Sequence, residues 1–254
     1  MQIISIANQK GGVGKSTTAI SVGSYMSSAK KRVLIIDLDP QGNTTSGLGI
    51  DKQSVSATSY DVLHDYNRLE EAIVKTEHGV WLMPANQSLA MAEVDLVNLQ
   101  AREQKLKAAL ARIDFDYVLI DCPPSLGLLT INALTASTHV MIPVQAEYYA
   151  LEGLGQLLET VRRVRQALNP DLELLGVLLT MFDSRTTLST QVQDEVKKHF
   201  PGKIFNTVIP RNVKLAEAPS HGQPINKHDS WSRGARAYKK LTKEMTKRLT
   251  TKAV

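Results

Sequence analysis

Apolar residues along the chain fall into short unbroken runs, separated by stretches in which they recur every three or four positions. The runs Ile3–Ala7, Val33–Asp37, Val80–Met83, Tyr117–Asp121, His139–Val144, Glu173–Thr180 and Ile204–Ile209 predict strands. Several are continuous Val/Ile/Leu segments, as expected for strands buried on both faces. Helical spacing predicts helices over Lys15–Ser28, Arg102–Arg112, Leu126–Ala136, Tyr149–Leu168, Ser189–His199 and Ser232–Arg248. Strands alternating with helices imply an α/β fold, a twisted and mostly parallel sheet with helices on both faces. No repeat, low-complexity tract or long linker divides the chain, so residues 1–254 read as a single domain.

Composition narrows the class. With 254 residues, 43% hydrophobic and 22% charged, the chain is neither disordered, collagen-like nor stapled by disulfides. The lone Cys122 cannot form an internal disulfide, which fits a reducing cytoplasm. The opening MQIISIANQK lacks the basic region and long apolar core of a secretory signal. An uncharged stretch of 25 residues, Cys122–Ala146, is broken by Pro123, Pro124, Gly127, Asn132, His139 and Pro143, so it is not a membrane span. The net charge of +5 is unevenly placed: residues 185–254 hold 15 Lys and Arg against 5 Asp and Glu. An acidic body with a basic final quarter fits either a polyanion-binding surface or a solvated basic helix.

The chemistry concentrates at the first strand-to-helix turn, QKGGVGKSTT. Gly11, Gly12 and Gly14, with Val13 between them, can turn several backbone N–H groups toward one anion. The helix starting near Lys15 adds its positive N-terminal end. Lys15 would reach the β and γ phosphates of a nucleotide and the Ser16 hydroxyl would ligate Mg²⁺. The usual G-x-x-x-x-G-K-[ST] pattern fails at Gln9, and a second lysine, Lys10, stands at the head of the loop. A strand before, a helix after and an intact GKST favour a phosphate loop over a ligand-free glycine turn. Asp37 and Asp39, in VLIIDLDPQGN, and Asp121, in YVLIDCPPS, end two other buried strands, where ligands of open α/β sheets collect. A single strand-end Asp is ordinarily a cap or turn residue; three beside a phosphate loop favour metal and water chemistry. Cys122 reads as a small buried residue.

Together KGGVGKST, DLDPQGN, LIDCPPS and PRNVKLAEAPSHG resemble the ParA/Soj family of chromosome- and plasmid-partitioning ATPases, which carry a deviant Walker A loop. The resemblance runs over nearly the whole chain. It implies that Lys10 crosses an ATP-sandwiched homodimer interface to the partner subunit's nucleotide. It implies that Lys15, Ser16 and Thr17 hold phosphates and Mg²⁺, that Asp39 positions or activates the attacking water and that Asp121 is the Walker B carboxylate. Pro210 and Asn212 would frame the adenine. The implied protein is cytoplasmic and nucleoid-associated, with slow ATP turnover accelerated by a ParB/Spo0J-type centromere-binding partner, and it binds double-stranded DNA without sequence preference.

The residues that would meet DNA phosphates are Arg185, Lys197, Lys198, Lys203, Arg211, Lys214, Lys227, Arg233, Arg236, Lys239 and Lys240; Arg185 and Arg211 could instead serve the nucleotide or the dimer interface. Without a zinc-finger pattern, a helix-turn-helix or interleaved aromatics, backbone binding to duplex DNA is the expected mode. Two related classes compete. MinD-type ATPases end in an amphipathic membrane-targeting helix, and here Tyr238, Leu241, Met245 and Leu249 form a narrow apolar stripe among lysines. That stripe reads rather as a terminal helix packed on the sheet, and no membrane partner is expected. The iron protein of nitrogenase needs two cysteine ligands per subunit, and one cysteine excludes it. A nucleotide-binding scaffold without turnover is the remaining alternative, against which Asp39 argues.

Overall fold

The computed structural model describes residues 1–29, 31–147 and 152–250. Seven strands form one sheet: β1 (Gln2–Ile6), β2 (Val33–Asp37), β3 (Val74–Lys75), β4 (Trp81–Met83), β5 (Tyr117–Asp121), β6 (His139–Gln145) and β7 (Glu173–Thr180). Their order is β3-β4-β2-β5-β1-β6-β7, parallel throughout except for β3, which runs antiparallel on the edge. The longer helices are α1 (Lys15–Ser28), α2 (Lys105–Leu110), α3 (Leu128–Ala136), α4 (Glu152–Ala167), α5 (Thr187–His199) and α6 (Arg233–Thr250).

Alternation along the central strands divides the core in two. Val33 and Ile35 of β2 face one side, where α1 contributes Ala19, Val22 and Met26 and α6 contributes Tyr238, Leu241 and Met245. Leu34 and Ile36 face the other, against Leu106 and Leu110 of α2, Leu129 and Ala133 of α3, Leu157 and Val161 of α4 and Val196 of α5. Both faces are covered, which explains why these strands read as continuous apolar runs. The parallel register sets Ile6 and Asp37 level with Asp121, so three strand ends open on one rim.

Two sequence expectations change. Ile204–Ile209 is not a strand: it meets the β7 edge through isolated bridges of Ile204 to Val177 and of Pro210 to Phe182, and through the Ile209 N–H donated to the Leu179 carbonyl (2.8 Å). Between them the Glu244 carboxylate accepts the N–H groups of Asn206 (2.8 Å) and Thr207 (2.9 Å), which pulls the segment off the β7 edge toward α6. Arg102–Arg112 splits into a 3₁₀ turn, Arg102–Gln104, and the shorter α2. The helix expected from Tyr149 is described from Glu152, and residues 149–151 of that expectation lie outside the described residues. The edge strand β3, two residues long, is too short to leave a periodic signal.

The apolar stripe of α6 is core. Tyr238, Leu241 and Met245 are at most 1% exposed, and Lys239, Lys240 and Lys243 face outward. Among the described residues no helix is long and apolar enough to cross a membrane. Leu241→Ala should therefore lower unfolding stability by about 2–5 kcal/mol, the range for large-to-small core substitutions. Lys240→Ala should change it by less than about 0.5 kcal/mol. Urea denaturation followed by circular dichroism checks both.

Candidate functional site

The chain leaves β1 and turns through Asn8, whose side chain is tied on both sides. Its Nδ2 donates to the Pro143 carbonyl (2.6 Å) and its Oδ1 accepts the Lys10 N–H (2.9 Å). Gly12 and Gly14 then take φ of +74° and +89°, the left-handed region that a side chain disfavours. Gly14 caps α1 with no side chain, so the first N–H groups of the helix stay open to an anion. Thr180, at the end of β7, clamps the loop from behind by donating its hydroxyl to the Val13 carbonyl (2.8 Å).

Lys15 is only 6% exposed and donates to the Lys10 carbonyl across the loop (3.3 Å). Burial lowers its pKa, and the carboxylates of Asp121 and Asp39 pull it back up. Asp39 lines the same cavity; its Oδ1 accepts the Gln41 N–H (2.9 Å), and its other oxygen has no protein hydrogen bond among the described residues. Asp37 turns out to have a different task from the one read in the sequence. It is fully buried, with Oδ2 accepting both the N–H (2.8 Å) and the hydroxyl (2.7 Å) of Thr45 and Oδ1 accepting the Asp39 N–H (3.1 Å). It shapes the turn that presents Asp39 and does not line the cavity. Burial, and the Asp121 charge beside it, hold its carboxyl above the usual range.

Asp121 lies beneath the loop, also fully buried. Its Oδ2 accepts the Thr44 hydroxyl (2.7 Å), while Oδ1 is buried without a well-formed hydrogen bond. Burial raises its pKa; the hydroxyls of Ser16 and Thr44 and the Lys15 ammonium lower it again. An orphaned carboxylate oxygen beside the loop serine fits a hydrated Mg²⁺, which retains waters and takes few protein oxygens. The residues present therefore suit the ion, with Ser16 to hold it directly and Asp121 through water. Cys122 is buried and its thiol is pushed up to about 12 by that burial, which leaves it inert.

The loop and Asp39 open on a cavity of about 700 Å³, with Asp37, Asp121 and Cys122 behind its lining, a size usual for small-molecule sites. Gly11, Gly12, Gly14, Lys15, Ser16, Thr17 and Asp39 line one end, and Ile209, Pro210, Arg211, Asn212, Leu215 and Pro219 line the other. Asn212 Oδ1 is buried and unpartnered, a spare acceptor in the wall. Val13 is buried in the core instead of lining the cavity. Lys10 is outside it: its ammonium sits 3.0 Å from Glu147 Oε2, with the two side chains 42% and 44% exposed. The Arg211 guanidinium approaches the other Glu147 oxygen at 3.9 Å.

Several working residues escaped the sequence reading. Thr44 and Thr45 follow DPQGN directly and were within reach as small polar residues in a strand-end loop. Glu147, Thr180 and Tyr238 were not, because each meets the loop from a distant part of the chain. Tyr238 lines the cavity from α6, and its hydroxyl is 3.0 Å from that of Thr18, which donates to the Gly14 carbonyl (2.7 Å).

The basic residues separate into two groups. Arg185 pairs with Asp183, Lys197 with Asp194, Lys198 with Glu195 and Lys214 with Glu217. Lys203, Lys227, Arg233, Arg236, Lys239 and Lys240 are exposed and make no ion pair among the described residues. Five of these six lie on α6 or just before it.

An AAA domain family model matches residues 1–174. The chain is 56% identical over 247 residues to the sporulation initiation inhibitor protein Soj of Bacillus subtilis, covering 96% of this chain and 98% of that one. It is 49% identical over 255 residues to the chromosome partitioning protein ParA of Myxococcus xanthus, covering 99% and 90%. Among solved structures, a Mycobacterium smegmatis protein described as cobyrinic acid a,c-diamide synthase, with bound ADP and magnesium, matches at a TM-score of 0.88 and 40% identity, covering 100% of this chain and 97% of that one.

If the orphaned oxygen of Asp121 serves a hydrated cation, Asp121→Asn should weaken the magnesium-dependent part of ATP binding by about 10- to 100-fold. Binding in EDTA should be unchanged. Titration with a fluorescent ATP analogue, with and without magnesium, measures both.

Proposed function

The chain belongs to the Soj/ParA family of chromosome-partitioning ATPases, and from that premise we propose that it is an ATP-hydrolysing DNA-partitioning switch. In this reading an ATP-bound sandwich homodimer holds duplex DNA without sequence preference. Hydrolysis, accelerated by a ParB/Spo0J-type partner, releases the DNA. One observation carries the proposal. Tyr238 lines the nucleotide cavity and hydrogen-bonds to the phosphate-loop helix, and it sits on the same helix as Arg236, Lys239 and Lys240. Occupancy of the cavity and the setting of the basic helix are then mechanically linked.

Phosphoryl transfer asks mainly for positioning and charge stabilisation. The loop N–H groups and the first turn of α1 receive the phosphates, and Lys15 regains by contact with them what burial costs its charge. Bound Mg²⁺, held by Ser16 and through water by Asp121, would supply charge neutralisation at the β and γ oxygens. Asp39 keeps one carboxylate oxygen free over the cavity, which suits it to orient a water for attack. Pro210 and Asn212 frame the base, with the unpartnered Asn212 oxygen as acceptor for an exocyclic amino group.

Lys10 is the part that needs a second subunit. Its half-exposed pair with Glu147 is the kind of surface contact that exchanges at little cost. On pairing, Lys10 would leave Glu147 for the partner's nucleotide, so positive charge arrives only when two subunits meet. Loss of the γ-phosphate removes that attraction, and ATP acts as the ligand of a two-state equilibrium.

Two measurements test the reading. Fluorescence anisotropy of a random-sequence duplex should show binding with ATP or a slowly hydrolysed analogue, and not with ADP or without nucleotide. That binding should weaken with salt by roughly 0.9 log units per released counterion per log unit of salt. Nucleotide-independent affinity would end the switch. Lys15→Ala should lose nucleotide affinity by more than about tenfold, since it removes the main charge facing the phosphates. Lys10→Ala should bind nucleotide normally but fail to dimerise with ATP by light scattering. Equal loss of affinity in both variants would contradict the division of labour.

A further inference from the structure

Trp231 is 85% exposed, far more than any other aromatic residue described. Its position is not loose. The Asp229 Oδ1 accepts the N–H groups of both Trp231 (3.1 Å) and Ser232 (3.0 Å). The Ser232 hydroxyl donates to the Asp229 carbonyl (3.0 Å) and accepts the Ala235 N–H (3.1 Å), which closes the turn onto α6. Ala235, fully buried, fixes that end of the helix to the core. A doubly capped turn thus holds a large indole out in water, where its apolar surface is unfavourable.

Its surroundings say what it would meet. Lys227 and Arg233 flank it in sequence, with Arg236 one turn on; all three are exposed and without ion pairs among the described residues. Asp229 is the one carboxylate between residues 218 and 243, and its Oδ1 is committed to the turn. A Trp flanked along the chain by cations without ion pairs suits a surface that is anionic on its rim and apolar between the charges. The sugar–phosphate wall of duplex DNA has this character. An indole can pack on deoxyribose and donate its N–H to a phosphate while the cations hold the flanking phosphates. An anionic membrane fits less well, because a membrane-surface helix inserts a continuous apolar face and the apolar residues of α6 are turned inward.

We infer that Trp231 is a duplex-DNA contact, the apolar centre of a basic patch formed by Lys227, Arg233 and Arg236. The inference rests on the DNA-binding reading above and adds a contribution that salt does not screen. Trp81 is the other tryptophan of the chain, so in a Trp81→Phe background all indole emission comes from Trp231. Adding a random-sequence duplex with the ATP analogue should change that emission with the same midpoint as the anisotropy titration. Trp231→Ala should weaken duplex binding on the order of tenfold, with an unchanged salt slope and unchanged ATP turnover. Arg233→Ala should lower the slope by about one.

Duplex binding with silent Trp231 emission, or with full affinity in Trp231→Ala, overturns this inference and leaves the DNA switch standing. No duplex binding by the unsubstituted protein in any nucleotide state overturns both. An emission change with phosphatidylglycerol vesicles and none with duplex overturns the DNA contact in favour of a membrane one.

Discussion

An ammonium group at 6% exposure is tolerated only when compensating charge is held close by a frame that cannot relax away. Lys15 has that frame because β1, β2 and β5 are neighbours in parallel register. The register sets Asp37 beside Asp121 and brings the Asp39 turn over the loop. All three carboxylates are themselves buried, and the two that are fully so each take a hydroxyl from the segment after β2, Thr45 for Asp37 and Thr44 for one oxygen of Asp121. Shifting one strand by a residue would send these groups to the opposite face of the sheet. The phosphate loop therefore depends on the sheet before it depends on its own glycines.

The same frame couples one side of the sheet to the site. α1 and α6 share one half of the core, and their contact includes the hydrogen bond between the Thr18 and Tyr238 hydroxyls. Thr18 in turn bonds the Gly14 carbonyl at the loop. A buried tyrosine with a satisfied hydroxyl is a stiff connection, since losing its partner would leave a polar atom stranded in the core. The helix with its basic outer face and buried inner face is thus packed directly against the phosphate-loop helix. The Lys10–Glu147 pair is of the opposite kind: exposed, replaceable and suited to change partners.

Where sequence and structure agree, the signals were local. Continuous apolar runs predicted six of the seven strands, with small shifts at several ends, because burial on both faces leaves no room for polar residues. That the loop glycines, Lys15, Ser16, Thr17, Asp39 and the Pro210–Asn212 segment line one cavity was legible in part for the same reason: each lies in a short motif whose residue types answer a local demand. Ile204–Ile209 misled because its apolar run was real while its hydrogen bonding was decided elsewhere, by Glu244 reaching from α6 to take two N–H groups. Asp37 misled likewise. Its strand-end position suggested chemistry, and only the fold revealed that Thr45 and the Asp39 N–H use its oxygens.

By itself, then, the sequence determined six of the seven strands, the glycine-rich loop before α1 and the excess of positive charge in the final quarter. Periodicity, glycine conformation and charge count are properties of neighbouring residues. The tertiary structure alone decided which of those charges are unpaired among the described residues, that the apolar stripe of α6 is core, that Lys10 is held by Glu147 and that Tyr238 reaches the cavity beside the glycine-rich loop. Each is a contact between segments far apart along the chain, and such contacts exist only once the sheet and its helices have packed.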